Sequence, residues 1–122
     1  LGVENVTAVE RDVSGHRDLV ANAKGTCIEA IGNSVEAFLA TSATAIAGTV
    51  IVDPPRVGLS KIVVEALAER GVSTLVYVAC DVATFARDLR RFRDAGYGVE
   101  DIQAFDMFPN SSHVELLATL TR

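Results

Sequence analysis

Apolar runs alternate with amphipathic segments along most of the chain, and this alternation predicts a repeating β–α pattern. Short apolar runs rich in β-branched residues predict four buried strands, at residues 5–10, 26–31, 48–53 and 73–80. Each run is followed by a stretch with apolar residues at helical spacing, and these predicted helices begin near Arg11, Ser34, Ser60 and Asp81. The pattern favours an α/β fold with a mainly parallel sheet covered by helices on both faces.

The spacing within two of these helices predicts which side faces the core. After Ser60, a suitable N-cap residue, the predicted inward residues are Ile62, Val63, Ala66 and Leu67. After Asp81, a second suitable N-cap, the predicted inward residues are Phe85, Leu89 and Phe92.

The last quarter of the chain has a different pattern. Residues 98–108 and 113–122 form two extended runs joined by "PNSS", which predicts an antiparallel β-hairpin rather than another β–α unit. In the final run apolar side chains alternate, so Leu116 and its neighbours at every second position should face one way and Glu115 the other.

Composition narrows the classes of protein that the chain can represent. Its 122 residues, 49% of them hydrophobic, suit one α/β domain, and no apolar run approaches the roughly 18 residues of a membrane span. The first twelve residues lack the features of a signal peptide. Two distant cysteines indicate neither a zinc site nor a disulfide framework, so a reducing cytoplasm is the expected location.

The charge distribution allows two interpretations. A formal net charge of −5 is unfavourable for gripping nucleic acid by its phosphates. Seven of the eleven Lys and Arg nevertheless lie between Arg56 and Arg93. Solvated helix faces are the ordinary interpretation, and a basic rim around a site is the sharper one.

The candidate site residues lie at the predicted carboxyl ends of strands, where open α/β sheets bind ligands. Glu10 could accept hydrogen bonds from ribose hydroxyls, although an acid at a helix N-terminus needs no ligand to explain it. Asp53 is carried by a turn that two prolines stiffen, and Asn33 follows the second strand.

Cys80 ends the fourth strand just before a helix N-terminus, a position that favours thiolates. A lone Cys is more often a small core residue, and Cys27, predicted to lie within a strand, fits that interpretation. Glu115 could be held against the site by the hairpin and act as a base. Its neighbour His113 is assigned to the surface of an edge strand.

Four motifs, in order, carry a resemblance to a known family: DPPRVGL, VYVACDVATFARDL, AGY and DMFPNSSHVELLATLTR. They resemble the RNA 5-methyluridine methyltransferases, cytoplasmic enzymes that methylate carbon 5 of uridine in tRNA or ribosomal RNA with S-adenosylmethionine. The resemblance covers essentially the whole chain, as the C-terminal part of the catalytic domain. It implies a Rossmann-like class I S-adenosylmethionine-dependent methyltransferase fold, truncated at its N-terminal strand and ending in the antiparallel hairpin.

The resemblance also implies roles for individual residues. Cys80 matches the nucleophile that adds to carbon 6 of uracil, and Glu115 matches the base that removes the proton from carbon 5. The cofactor-contacting positions are matched by Glu10, Asn33 and Asp53. On the substrate side, the resemblance assigns Pro54 and Arg56. Arg56 stands where enzymes that methylate exocyclic amines usually have an aromatic residue, and the target uridine is expected to flip out of its stack.

Two departures from the family pattern leave alternatives open. Ala79-Cys80-Asp81-Val82 stands where the family usually has Ser-Cys-Asn-Pro, and the family's glycine-rich first strand is expected before Leu1. The chain is therefore expected to be a fragment without a strand between residues 5–10 and 48–53, a gap that a shifted strand or a homodimer would fill. The alternative functions are methylation of another base, such as carbon 5 of cytosine, and a non-catalytic module derived from such an enzyme.

Overall fold

The computed structural model describes residues 3–41, 46, 48–107, 110 and 114–122. Its contacts divide the chain into two compact units, Leu1–Ala43 and Thr44–Arg122. Strands and helices alternate, as predicted, until the last two strands. In order, the elements of the described residues are β1 (Val6–Glu10), α1 (Val13–Asn22), β2 (Ile28–Gly32), α2 (Val35–Thr41), β3 (Thr49–Val52), α3 (Lys61–Glu69), β4 (Thr74–Ala79), α4 (Val82–Asp94), β5 (Gly98–Phe105) and β6 (Glu115–Thr121).

The first unit contains a two-stranded parallel sheet. β1 pairs with β2 from Val6 opposite Ile28 to Glu10 opposite Gly32. α1 begins after Asp12, whose Oδ1 accepts a hydrogen bond from the Gly15 amide at 2.8 Å, and so supplies an N-cap.

The prediction that Cys27 is a buried core residue within a strand is wrong. β2 begins one residue later, at Ile28, and Cys27 is exposed with its Sγ 3.2 Å from the Val3 carbonyl oxygen. Because β2 pairs only with β1 among the described strands, the residue before it has no second neighbouring strand to bury it.

The second unit contains a four-stranded sheet in the order β3-β4-β6-β5. β3 and β4 are parallel, while β6 runs antiparallel to both of its neighbours, β4 and β5. The predicted terminal hairpin is therefore confirmed, although its turn at residues 109–112 lies largely outside the described residues. Alternate residues of β6 are buried, as its sequence pattern predicts: Leu116, Ala118 and Leu120.

The core of this unit lies between the sheet and its two helices. Tyr77 of β4 is fully buried and stacks on Phe85 of α4, with 5.5 Å between ring centroids and 4° between planes. Phe92, about two turns further along the same face of α4, meets the rings of Tyr77 and Tyr97 edge-on. The predicted inward face of α4 is confirmed, since Phe85, Leu89 and Phe92 are all buried.

The inward face of α3 matches the prediction only in part, and Ala66, predicted to face inward, is half-buried. Val63 and Leu67 are buried as predicted, but Ile62 is 66% exposed and Val64 takes its place in the core. Three consecutive apolar residues fit the helical period in more than one rotation, so the spacing alone does not determine which of them faces inward. Within the described parts of the chain, no helix is long and apolar enough to cross a membrane.

Candidate active site

One edge of the four-stranded sheet collects three of the predicted site residues. β3 ends at Val52 and the parallel strand β4 ends at Ala79, so Asp53 and Cys80 leave the sheet at the same edge. β6 is antiparallel to β4, and its first residue, Glu115, therefore starts at this edge too. Chain direction alone thus brings a carboxylate, a thiol and a second carboxylate to one side of this unit.

Cys80 and Glu115 are related by strand register. The β4–β6 ladder runs from Thr74 opposite Thr121 to Ala79 opposite Leu116. Cys80 is the next residue after Ala79, and Glu115 is the residue before Leu116, so the two adjoin the last pair of the ladder at the same end of neighbouring strands. Both residues are half-buried, and Cys80 is a free thiol. The arrangement can place a nucleophile and a general base on the same reactant.

The turn after Asp53 runs along the N-terminal part of α4. The Gly58 amide donates to the Pro55 carbonyl oxygen at 2.7 Å, which closes the turn. The Thr84 hydroxyl, in the first turn of α4, donates to the Arg56 carbonyl oxygen at 2.9 Å. Pro54 is half-buried, while Asp53 and Arg56 are exposed. The turn thus presents a carboxylate and a guanidinium to solvent beside the start of α4.

Asp81, directly after Cys80, is the N-cap of α4, as predicted. Its Oδ1 accepts from the Thr84 amide at 2.8 Å and from the Thr84 hydroxyl at 3.0 Å. The hydrogen bonds from the Thr84 amide and hydroxyl, and to a lesser extent the charge of Arg56, hold the pKa of this carboxyl below its ordinary value. The cap fixes the backbone at the start of the helix, immediately beside the thiol-bearing residue.

The remaining two predicted residues, Glu10 and Asn33, lie together in the first unit, at the carboxyl ends of β1 and β2. Glu10 Oε1 accepts from the Asp12 amide at 2.6 Å, and the Asn33 amide donates to the Glu10 carbonyl oxygen at 3.2 Å. Asn33 Oδ1 accepts from the Ser34 amide at 2.9 Å. Within the described residues Glu10 Oε2 has no hydrogen-bond partner, so this oxygen is available to a ligand hydroxyl.

Residues next to the site that the motifs did not single out belong to α4. Asp88 is fully buried and accepts four hydrogen bonds, and the donors are the Leu59 amide, the Tyr77 hydroxyl, Arg87 and Arg91. Its signal in the sequence is an acid three residues after Phe85, on the apolar face of the predicted helix. Arg87 and Arg91 are thus internal partners of this acid. These two members of the basic run between Arg56 and Arg93 therefore fit neither a solvated helix face nor a basic rim around a site.

Other predictions have a more limited outcome. His113 lies outside the described residues, as do Phe108 and Pro109 of the hairpin motif. Among the residues that the structure does describe, no group of three His, Cys, Asp or Glu side chains is arranged to hold a metal ion.

Comparison with known proteins gives a family match over the C-terminal part of the chain. A family model described as tRNA (Uracil-5-)-methyltransferase matches residues 42–122. An RNA methyltransferase of Streptomyces avermitilis, itself uncharacterised, is 46% identical over 86 residues, covering 70% of this chain and 20% of that protein. An uncharacterised RNA methyltransferase of Fusobacterium nucleatum is 42% identical over 74 residues, 61% of this chain and 16% of that protein. The chain spans about a fifth, or less, of these relatives.

Solved structures match a larger share of the chain. The Pyrococcus abyssi tRNA (uracil-54, C5)-methyltransferase, solved with S-adenosyl-L-homocysteine, is 33% identical with a TM-score of 0.72, covering 96% of this chain and 28% of that one. Fibrillarin from Aeropyrum pernix, solved with S-adenosyl-L-methionine, is only 16% identical but has a TM-score of 0.71, covering 93% of this chain and 55% of that one. The predicted class I methyltransferase fold is confirmed by these likenesses.

Proposed function

The chain belongs to the tRNA (uracil-5-)-methyltransferase family, and on that premise we propose that it supplies the nucleophile and the base for methylation of carbon 5 of uridine in tRNA or ribosomal RNA. One observation carries the proposal: the β4–β6 ladder ends with Ala79 opposite Leu116, so Cys80, with its free thiol, and Glu115 are the adjoining residues at the same end of two neighbouring strands. We assign the chain to the C-terminal part of the catalytic domain of such an enzyme.

The proposed chemistry begins at Cys80 because carbon 5 of uracil is a poor nucleophile. The thiolate forms a bond to carbon 6, and the electrons of the C5–C6 double bond move onto the carbonyl oxygen at carbon 4 to give an enolate. S-adenosylmethionine, when bound, would supply the electrophilic methyl group that carbon 5 takes up, and the S–CH3 electrons would stay on sulfur to give S-adenosylhomocysteine. Glu115 then accepts the proton of carbon 5, its electrons restore the C5–C6 double bond, and the C6–S bond breaks to release the Cys80 thiolate.

Three carboxylate or amide residues are proposed to hold the cofactor. The structural support is strongest for Glu10, because one of its carboxylate oxygens accepts from the Asp12 amide while the other has no partner among the described residues. A carboxylate at the end of a parallel strand commonly binds ribose hydroxyls. We assign the same general role to Asn33, beside Glu10 in the first unit, and to Asp53 in the second.

Pro54 and Arg56 are proposed to contact the target base and its RNA. The position of Arg56, on the stiff turn beside the start of α4, supports this assignment. RNA is thus the proposed partner, and the target uridine would have to leave its stack to reach a half-buried thiol. Because Cys80 acts only as a free thiol, we place the protein in a reducing compartment, the cytoplasm.

The test is covalent capture of RNA by the full-length gene product that contains this chain. RNA in which 5-fluorouridine replaces the target uridine should form an adduct that survives denaturing electrophoresis when S-adenosylmethionine is present. Fluorine at carbon 5 cannot be removed as a proton, so the C6–S bond persists. Cys80→Ala should abolish the adduct, and Cys27→Ala, which alters the exposed thiol of the first unit, should retain it.

Glu115→Gln separates the base from the nucleophile. This variant should still form the 5-fluorouridine adduct but should lose methyl transfer to ordinary uridine by about 100-fold or more, as expected for a general base. No adduct with wild-type protein, or an adduct that persists in Cys80→Ala, would contradict the proposed mechanism. Capture of 5-fluorocytidine RNA instead would make cytosine the target.

A further inference from the structure

Asp88 lies inside the second unit with every oxygen engaged. It is 0% exposed, the only buried charged side chain among the described residues. Its Oδ2 accepts from the Leu59 amide at 2.7 Å and from the Tyr77 hydroxyl at 2.9 Å. Its Oδ1 accepts from Arg87 Nε at 2.9 Å and from Arg91 Nη1 at 3.0 Å. A buried carboxylate is tolerated only with such complete pairing.

The same arginines also bind the chain segment that follows the Asp53 turn. Arg87 Nη2 donates to the Val57 carbonyl oxygen at 2.7 Å, and Arg91 Nη1 donates to the Leu59 carbonyl oxygen at 2.9 Å. With the bond from Thr84 to the Arg56 carbonyl oxygen, α4 holds the backbone carbonyls of Arg56, Val57 and Leu59. We call this arrangement the clasp, formed by Thr84, Arg87, Asp88 and Arg91 around residues 56–59.

Gly58 allows the clasp to close. Its φ is +72°, and a Cβ atom added there would collide with Asp88 Oδ2 and lie 2.5 Å from Arg87 Nη2. Only a residue without a side chain lets the backbone approach the carboxylate and guanidinium this closely.

The clasp joins two parts of the proposed site through one rigid element. α4 begins directly after Cys80, where Asp81 caps it, and its side holds the segment that continues from Pro54 and Arg56. We propose that Asp88 is a positioning residue, which fixes the substrate-contacting turn relative to the Cys80 thiol by fastening residues 56–59 to α4. The inference rests on the proposed function, since it gives that turn and that thiol a common substrate.

The first arm of the test needs no activity. Asp88→Asn keeps the shape of the side chain but replaces the carboxylate with a neutral amide beside two guanidinium groups. Arg87 and Arg91 should then lose their bonds to residue 88, and residues 56–59 should detach from α4. Hydrogen exchange in the full-length protein should become at least tenfold faster at the Leu59 amide, while the Val78 amide in β4 changes less than threefold. Leu120→Ala is the matched control. Leu120 is buried in β6 opposite Leu75, which lies five residues before Cys80 in the chain, and it makes none of the hydrogen bonds of the clasp.

The second arm measures the rate of adduct formation with 5-fluorouridine RNA. Asp88→Asn should slow adduct formation at saturating RNA by at least tenfold, with a less than threefold change in the RNA concentration that gives half the maximal rate. The fraction of protein that reacts should stay the same. Leu120→Ala should lower that fraction but keep the rate constant, which is the behaviour of a merely structural defect.

The two arms separate failure of this inference from failure of the proposed function. If wild-type protein forms no adduct, the proposed function fails, and the exchange arm still decides whether the clasp exists. Unchanged exchange at Leu59, or equal acceleration in Leu120→Ala, would overturn the clasp; unchanged adduct kinetics beside faster exchange would overturn its positioning role. If Asp88→Asn does not fold, two milder variants replace it: Arg87→Gln and Thr84→Val. Each removes clasp bonds made by a side chain that is only partly buried. Both should speed exchange at Leu59 and slow adduct formation, by smaller factors.

Discussion

The position of Gly58 imposes two separate physical requirements on the residue that occupies it. It needs a positive φ, and it needs empty space where a Cβ would stand. Gly71, at the end of α3, has a similar φ of +69° but nothing within 4 Å of its hypothetical Cβ. The pair therefore separates the cost of backbone strain from the cost of collision with the clasp.

Gly58→Ala should destabilise the protein more than Gly71→Ala does. A left-handed backbone costs an ordinary residue about 1–2 kcal/mol, which is the expected loss for Gly71→Ala. Overpacking against Asp88 should add about 1–3 kcal/mol in Gly58→Ala. Chemical denaturation checks this, and equal losses in the two variants would mean that the segment moves away from α4 at little cost.

Single residues also show where sequence reasoning reaches its limit. Cys80 and Glu115 could be singled out because each stands at the end of a strand with a clear pattern. Cys27 could not be assigned correctly, since a shift of one residue in the start of β2 moves it out of the strand. Asp88 was missed for a different reason: its place on the apolar face, three residues after Phe85, was a signal, but the arginines around it are also typical of a solvated, charged helix face.

At the scale of elements, α4 connects more of the proposed site than any strand does. Its N-cap adjoins Cys80, its side carries the clasp, and its apolar face packs on the sheet. Periodicity predicts the apolar face and the cap correctly because both depend on residues near in sequence. The bonds to residues 56–59 join positions about 30 apart and leave no periodic signal.

Loss of the cap should weaken α4 in a way that depends on pH. At neutral pH, Asp81→Ala should lower the midpoint of thermal unfolding by a few degrees, because the Thr84 amide loses its acceptor. The folded protein holds the pKa of Asp81 below its ordinary value of 3.8. The stabilisation is therefore fully present above that value and is lost as the pH falls through the lower, folded-state pKa.

Thermal melts of wild-type protein and Asp81→Ala across pH 7 to about 2 would check this, since the two curves should converge only at the acid end. Asp94→Ala removes the same charge from the other end of α4 and should not lower the midpoint, because a carboxylate near a helix C-terminus opposes the helix dipole. A constant difference between Asp81→Ala and wild type at all pH values would contradict the role of the ionised cap.

For the whole molecule, the core is distributed unevenly between the two units. Among the buried apolar residues in the described part of the chain, Leu39 belongs to the first unit and all the others belong to the second. The first unit is also close to the roughly 40 residues below which a chain rarely folds without a disulfide, a metal or a partner. The sequence pattern predicts the strands of both units equally well, because alternation reports local spacing and not the amount of apolar surface that is finally buried.

Expressed separately, the two units should therefore behave differently. Residues 44–122 should fold cooperatively, with dispersed amide resonances and a sigmoidal denaturation curve. Residues 1–43 should remain unfolded. A first unit that folds alone, or a second unit with collapsed resonances and no cooperative transition, would refute this division of stability.

The place of β6 has a consequence for biosynthesis. This strand is the last of the described strands, yet it lies inside the sheet, between β4 and β5. Until residues 115–121 have emerged from the ribosome, the sides of β4 and β5 that face β6 stay unpaired, and any apolar residues there that have already emerged are open to other nascent chains. A product that ends before residue 115 would thus be prone to aggregation, although it already contains Cys80, the turn after Asp53 and helices α1 to α4.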